Sequence, residues 1–208
     1  MKAPLLLSAT VLLGLVPHCL ARNLVANPGF EQMKVSWKTF EPEGVMMDWG
    51  IDDSDPHSGG AAAIIKSTSP ARWALSSELI GVYPGKRYRI ESWVRVSPNS
   101  TVASGLPGFY MGAGFMDAYF ESLSKQPPHN RIFFGLPNGV VDWENRKLLQ
   151  PEKMPEQWTK VSAVFEAPPD AKFMKTGITL HGFEGDLFWD DVSVEEVDAS
   201  TPLTESLR

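Results

Sequence analysis

Apolar and polar residues alternate along this chain with a period of two, the signature of strands with one buried face. In 87–96, Tyr88, Ile90, Val94 and Val96 fall on one side, and Arg89, Glu91, Trp93 and Arg95 on the other. The habit recurs in 158–167, with Val161, Ala163 and Phe165 against Lys160, Ser162 and Glu166. It recurs again in 173–183, with Met174, Ile178 and Leu180 against Lys175, Thr179 and His181. Shorter strands are predicted at 61–66, 74–82, 109–115 and 132–136. Turn chemistry separates them: Asp55-Pro56, Ser58-Gly59-Gly60, Pro84-Gly85, Pro98-Asn99, Pro127-Pro128, Pro137-Asn138-Gly139 and Pro168-Pro169. One stretch, 116–125, reads as helical because Phe115, Tyr119 and Leu123 recur at four-residue intervals. Many short strands with turn signals between them predict an all-β fold, an antiparallel β-sandwich of jelly-roll type.

Two further segments, at opposite ends, each read as a short strand carrying carboxylates. Asn23-Leu-Val-Ala-Asn-Pro-Gly-Phe-Glu31 turns at Pro28-Gly29 and ends on Glu31. Gly185-Asp-Leu-Phe-Trp-Asp-Asp-Val-Ser-Val-Glu-Glu-Val197 places Phe188, Val192 and Val194 on one face, with Asp190 and Asp191 mid-strand. Asp is depleted in strand interiors, so two in a row require a reason. If the two segments lie together, Glu31, Asp190 and Asp191 converge, and backbone carbonyls near Gly29 and Gly59 can join them. Hard oxygen donors of this kind suit Ca2+, which takes six to eight oxygens. Ordinary hydrogen bonding of the aspartates at a strand bend is the competing reading.

The same two segments carry a family resemblance. N-x-x-x-N-x-G-F-E at the start (Asn23, Asn27, Gly29, Phe30, Glu31) and aromatic-x-D-D-V at the end (Phe188, Asp190, Asp191, Val192) resemble the CenC-type carbohydrate-binding modules attached to cellulases and xylanases. These are carbohydrate-binding families 4, 9 and 22, with a galactose-binding-domain-like jelly roll. The resemblance runs from Asn23 to Val197, with a departing middle between Ser97 and Gln157. It implies carbohydrate binding without catalysis and a structural calcium near the terminal carboxylates.

Met1 to Ala21 has the anatomy of a secretory signal peptide: Lys2, an apolar stretch from Leu5 to Val16, and a small-x-small site at Cys19-Leu20-Ala21. The organisation expected is a leader over 1–21, a jelly roll over 22–197 with a loop-rich insertion around 97–157, and a polar tail over 198–208. The product is expected outside the cell or in the periplasm. Cys19 is the only cysteine of the 208 residues, so the exported domain has no disulfide and relies on its core, assisted by a metal. Loss of Lys2 with the leader takes the formal net charge from −6 to −7. An acidic chain without a basic run argues against nucleic acid or anionic lipid as partner, and after leader cleavage no membrane association and a monomer are expected.

Sugar rings present apolar C–H faces, so carbohydrate sites pair exposed aromatic rings with polar groups. Trp93 lies on the polar side of its strand beside Arg89, Glu91 and Arg95, and is the first candidate. Trp73, Tyr110 and Trp143 follow, with Tyr119 beside them; Trp37, Trp49, Trp158 and Trp189 are assigned to packing. Asn99-Ser100-Thr101 is a glycan-acceptor pattern. No nucleophile elbow, metal-type histidine pair or phosphate loop is present, and no catalytic residue is assigned. The carboxylates of the middle region, Asp117, Glu121, Asp142 and Glu144, are those available to a glycoside hydrolase, and nothing in their spacing selects a pair. A structural or adhesive jelly roll with a protein partner is the alternative function, and a small glycan hydrolase the third.

Overall fold

A computed structural model describes residues 22–40, 48–68, 73–103, 106, 108–123, 131–134 and 154–204; for Phe40, Trp73 and Arg131–Phe134 it describes the backbone. The leader, Trp143 and the carboxylates Asp142 and Glu144 lie outside these residues.

The alternation is realised as strands β1 (Trp37–Phe40), β2 (Asp48–Asp52), β3 (Ala62–Ser67), β4 (Trp73–Ser77), β5 (Ile80–Gly81), β6 (Arg87–Val96), β7 (Thr101–Val102), β8 (Gly108–Met116), β9 (Arg131–Phe134), β10 (Thr159–Glu166), β11 (Phe173–His181) and β12 (Phe183–Val197). They form two antiparallel sheets. Sheet I has the order β1-β4-β11-β8-β9, with β5 also pairing β11. Sheet II has the order β10-β6-β12-β3-β2, with β7 also pairing β12. The two sheets enclose one core. From sheet I come Leu75, Phe109, Met111, Phe115, Met174, Ile178 and Leu180; from sheet II come Ile65, Tyr88, Ile90, Val94, Val161, Phe165, Leu187 and Trp189. The fold is thus the all-β sandwich expected from the period of two. In β6 and β11 every second residue is buried without exception.

Three local readings are corrected. The segment 23–31 is not a strand but a chain of bends and turns laid along β12, with Asn27 and Phe30 at positive φ. Its backbone still pairs there: Leu24 N–H donates to the Val194 carbonyl (2.8 Å) and Val192 N–H to that of Pro28 (3.0 Å). The Asn23 side chain adds a reciprocal pair with Val192 and Val194. Residues 116–123, read as helical, are the end of β8 and a turn.

The third correction concerns Phe188. Trp93 faces Asp190, but Glu91 faces Ser193, so β12 carries one extra residue, a β-bulge at the paired aspartates. The bulge inverts the alternation. Leu187 and Trp189 point into the core before it, Val192 and Val194 after it, and Phe188 stands on the outer face. Asp191 sits in the bulge at φ 49°, a left-handed conformation that Asp tolerates better than most residues. This is the reason two aspartates stand mid-strand.

Candidate functional site

The five residues expected to surround a cation do come together, around a loop. Residues 53–60, between β2 and β3, fold back over the outer side of β12. The buried Asp190 carboxylate anchors them: its Oδ2 accepts from His57 N–H (2.9 Å) and Ser58 N–H (3.2 Å), its Oδ1 from Asp191 N–H (2.7 Å). Asp191 pairs with His57 Nδ1 at 2.6 Å and accepts from the Ser58 hydroxyl at 2.8 Å. Gly60 N–H donates to Glu31 Oε1 at 2.8 Å. Gly59 has φ 63°, and a Cβ there would stand 1.9 Å from Glu31 Oε1, so any other residue would be strained and would push the Glu31 carboxylate aside. A Cβ on Gly29 would lie 3.6 Å from Oδ1 of both Asp190 and Asp191, which places the two carboxylates against one stretch of backbone.

Electrostatically this region is under-compensated. No lysine or arginine pairs with Asp190 among the described residues. Burial pushes its carboxyl up to about 6, with repulsion from Asp191 adding to the rise against three amide hydrogen bonds that lower it. Among the described residues no three acidic or histidine side chains converge tightly enough to hold a metal by themselves. Any cation here would need backbone carbonyls and water beside the two aspartates, because the described side chains alone form no cage.

Trp93, the leading aromatic candidate, belongs to this loop as well. The His57 ring stacks on it at 3.9 Å and 16°, so that face of the indole is occupied by the protein itself. Trp158 meets His57 edge-on at 5.8 Å and donates its Nε1–H to the Asp55 carbonyl (3.2 Å). Arg95 lies 3.6 Å from the Phe188 ring and 5.2 Å from that of Trp158. Its guanidinium pairs with Asp52 (3.7 Å) and Asp55 (3.3 Å) and donates to the Asp55 carbonyl. Trp158 is thus a half-buried member of a ring cluster rather than interior packing, while Trp37, Trp49 and Trp189 are buried as expected. Tyr110 is 1% exposed, although it stands on the side of β8 opposite Phe109 and Met111; both faces of that strand are covered there, and Tyr110 is no platform. The backbone of Trp73 pairs with Leu180 in β4, and its side chain lies outside the described residues.

The displayed rings are elsewhere. At the end of sheet I where β8 finishes and β11 begins, Tyr83 is 69%, Tyr119 84% and Phe120 58% exposed. Tyr119 was a sequence candidate; Tyr83 and Phe120 were not. Each sits on a stitched turn. Asp117 Oδ1 accepts from Tyr119 N–H (2.8 Å) and Glu121 N–H (3.0 Å), and backbone bonds join Asp117 to Phe120 and Glu121. Phe120 is held at φ 63° and stacks on Phe173 of β11 at 5.0 Å and 22°. Tyr83 N–H donates to the buried Tyr88 hydroxyl (2.8 Å), and Lys86 N–H to the Tyr83 carbonyl. Lys172 ties the turns to each other, donating its N–H to Met116 and accepting from Val82, both at 2.9 Å. Between them opens a cleft of about 470 Å3 lined by Gly81, Val82, Tyr83, Ala118, Lys172 and Phe173. The sequence signals were an Asp that closes its own turn ahead of two aromatics, and a Tyr beside Pro84-Gly85.

No protein-family model matches the sequence, and no curated protein matches it. Solved structures do. The enzymatically active domain of bacteriophage CBA120 tailspike protein 4 superposes with a TM-score of 0.62 at 12% identity, over 84% of this chain and 21% of that one. The Clostridium thermocellum xylanase 10B CBM22-1–GH10 modules, complexed with xylohexaose, give 0.56 at 18% identity, over 85% and 29%. The CBM22-1 xylan-binding domain of Paenibacillus barcinonensis Xyn10C gives 0.54 at 12% identity, over 86% and 97%. This chain thus spans less than a third of the first two structures and nearly all of the third. The fold is that of the carbohydrate-binding modules with a galactose-binding-like jelly roll.

Proposed function

We propose that this protein is a secreted, non-catalytic carbohydrate-binding module whose contact surface is the aromatic shelf of Tyr83, Tyr119 and Phe120. The observation that carries the reading is the display of three large rings to solvent on hydrogen-bonded turns beside an open cleft. Large exposed aromatics are costly to solvate, and rigid ones lose little entropy on contact. Phe120 keeps a backbone conformation that a bulky residue adopts only under constraint, which is common at binding sites. Stacking of the rings on sugar C–H faces supplies affinity, while Lys172 and backbone groups of the cleft supply polar contacts. Structural neighbours whose names include xylohexaose, β-1,4-galactotriose or xylan support the same reading by fold. Among the described residues no carboxylate lines the cleft, and Asp117, the nearest acid by sequence, already accepts two amide hydrogen bonds. That disposition supports binding without turnover.

The carboxylate loop is assigned a supporting part. We propose that Asp190 and Asp191, with carbonyls near Gly29 and Gly59 and with Glu31 bracing Gly60, hold a structural Ca2+. The cation would neutralise buried charge in a chain that lacks disulfides.

Titration calorimetry of the leader-free protein against xylan and β-1,4-galactan oligosaccharides tests the function. Binding by the parent is expected, together with a loss of at least about tenfold in affinity on Tyr83→Ala or Tyr119→Ala, with melting unchanged. Absence of glycan binding by the parent, affinity untouched by both substitutions, or release of reducing sugar would each overturn it.

A further inference from the structure

We infer that the glycan bound at this shelf is an acidic one, carrying uronate carboxylates that Lys172 and Lys175 recognise; the inference rests on the carbohydrate reading above. The formal charge of the chain is −6, yet among the described residues the only charged one lining the cleft is Lys172. The ring of Phe173 follows it, and Lys175 comes next on the same outer side of β11, opposite Gly114. A Cβ at Gly114 would meet nothing within 4 Å among the described residues. The two lysines are three residues apart, so their Cα atoms are separated by at most about 10 Å.

Some lysines of the chain are already engaged. Lys86 is paired with Glu196 at 2.9 Å, Lys160 with Glu91 at 2.7 Å, and Lys34 with the Trp49 carbonyl. Lys172 and Lys175 make no ion pair among the described residues. Asp117, Glu121 and Asp170 stand on the neighbouring turns, and none of them forms an ion pair with either lysine. Two lysines that bracket Phe173 in sequence, beside its stack with Phe120, offer a sugar face and a carboxylate partners in one region. A lysine is a point charge with a mobile stem, suited to a carboxylate that projects from a sugar ring. Neutral xylan or galactan would leave both lysines without an ion-pair partner among the described residues.

The test uses the leader-free chain with polygalacturonate and glucuronoxylan, each beside its carboxyl-reduced counterpart. Affinity for the acidic polymer is expected to exceed that for the reduced one by about tenfold or more. The gap should collapse when NaCl is raised from about 0.05 M to about 0.5 M, because exposed ion pairs are screened. Lys172→Gln combined with Lys175→Gln should equalise the two polymers without moving the melting temperature, and Lys172→Arg with Lys175→Arg should keep the preference. Equal or tighter binding of the reduced polymers would overturn the inference and leave the carbohydrate reading standing, as would an acidic preference that survives in the glutamine double variant. Binding to none of the polymers would overturn both.

Discussion

The outer side of sheet II and the open end of sheet I are built from the same materials, aromatic rings, turns and carboxylates, and use them in opposite ways. Around Trp93 the rings are consumed. His57 covers the indole, Arg95 lies between Phe188 and Trp158, and Asp190, Asp191 and Glu31 fasten residues 57–60 from below. Around Phe173 the turns are fastened by their own backbone and by Asp117, and the rings are left outside. The contrast shows that an outward position in a strand does not make a platform. What decides is whether the neighbouring loop reaches back over the ring or closes on itself.

The largest expected effect tests that division directly. Trp189, 1% exposed against Phe30 and Trp37 at 5.8 and 5.0 Å, anchors the sheet II side. Trp189→Ala should lower stability by about 3–5 kcal/mol in denaturant unfolding. Tyr119→Ala should stay within about 0.5 kcal/mol of the parent. Comparable losses at the two positions would mean that the shelf is core after all.

Next in size are the effects of charge beneath the loop. In chelator, the folded Asp190 carboxyl titrates at about 6 against 3.8 in the unfolded chain. The folded state therefore holds a proton that the unfolded chain has released. The stability this contributes is complete below about pH 4 and is lost as pH rises through about 6, a total on the order of 3 kcal/mol. Asp190→Asn should flatten that slope. Calcium should act in the other direction: a cation bound only by the folded state at a hundred times its dissociation constant adds roughly 2.7 kcal/mol. The gap between melting curves in calcium and in EGTA should then widen from pH 4 to pH 6. Coincident curves at every pH, with no calcium in elemental analysis, would remove the metal from the loop.

A smaller loss is expected at Trp93 itself. Trp93→Ala removes a half-buried indole and its stack on His57, about 2–3 kcal/mol together. Glycan affinity, measured on the same sample below its melting point, should not change. A protein that keeps its stability but loses its ligand would restore Trp93 as the platform and reverse the contrast.

Much of this was legible in the residues. The sandwich followed from alternation, since β6, β10 and β11 obey a period of two that burial enforces. The convergence of Gly29, Glu31, Gly59, Asp190 and Asp191 was legible in the two terminal segments, and the backbone hydrogen bonds that Asp190 accepts at the bulge are those of the competing reading. What failed to show were consequences of tertiary placement. A one-residue bulge moved Phe188 to the opposite face while leaving the local sequence strand-like. Tyr110 alternates like an outward residue, yet is buried by what lies over β8. The four-residue spacing of Phe115, Tyr119 and Leu123 imitated a helix, although Asp117 closes a turn in its middle. Tyr83 and Phe120 carry no periodic signal, since their exposure depends on where two turns meet Phe173.

The smallest expected effect bears on why Phe120 is a phenylalanine. Its φ of 63° is a left-handed conformation that costs a bulky residue about 1–2 kcal/mol and that asparagine adopts more easily. Against this stands the stack on Phe173 at 5.0 Å, worth about 0.5–1.5 kcal/mol. The two terms are of similar size and opposite sign, so Phe120→Asn should change stability by no more than about 0.5 kcal/mol. Affinity for glycan should nevertheless fall, because the ring is 58% exposed and forms part of the stacking surface. A loss of stability well beyond 1 kcal/mol with affinity unchanged would make Phe120 a packing residue like Trp93. A gain in stability with loss of binding would show that the strain is retained for the ligand, the sharpest form the contrast between the two regions can take.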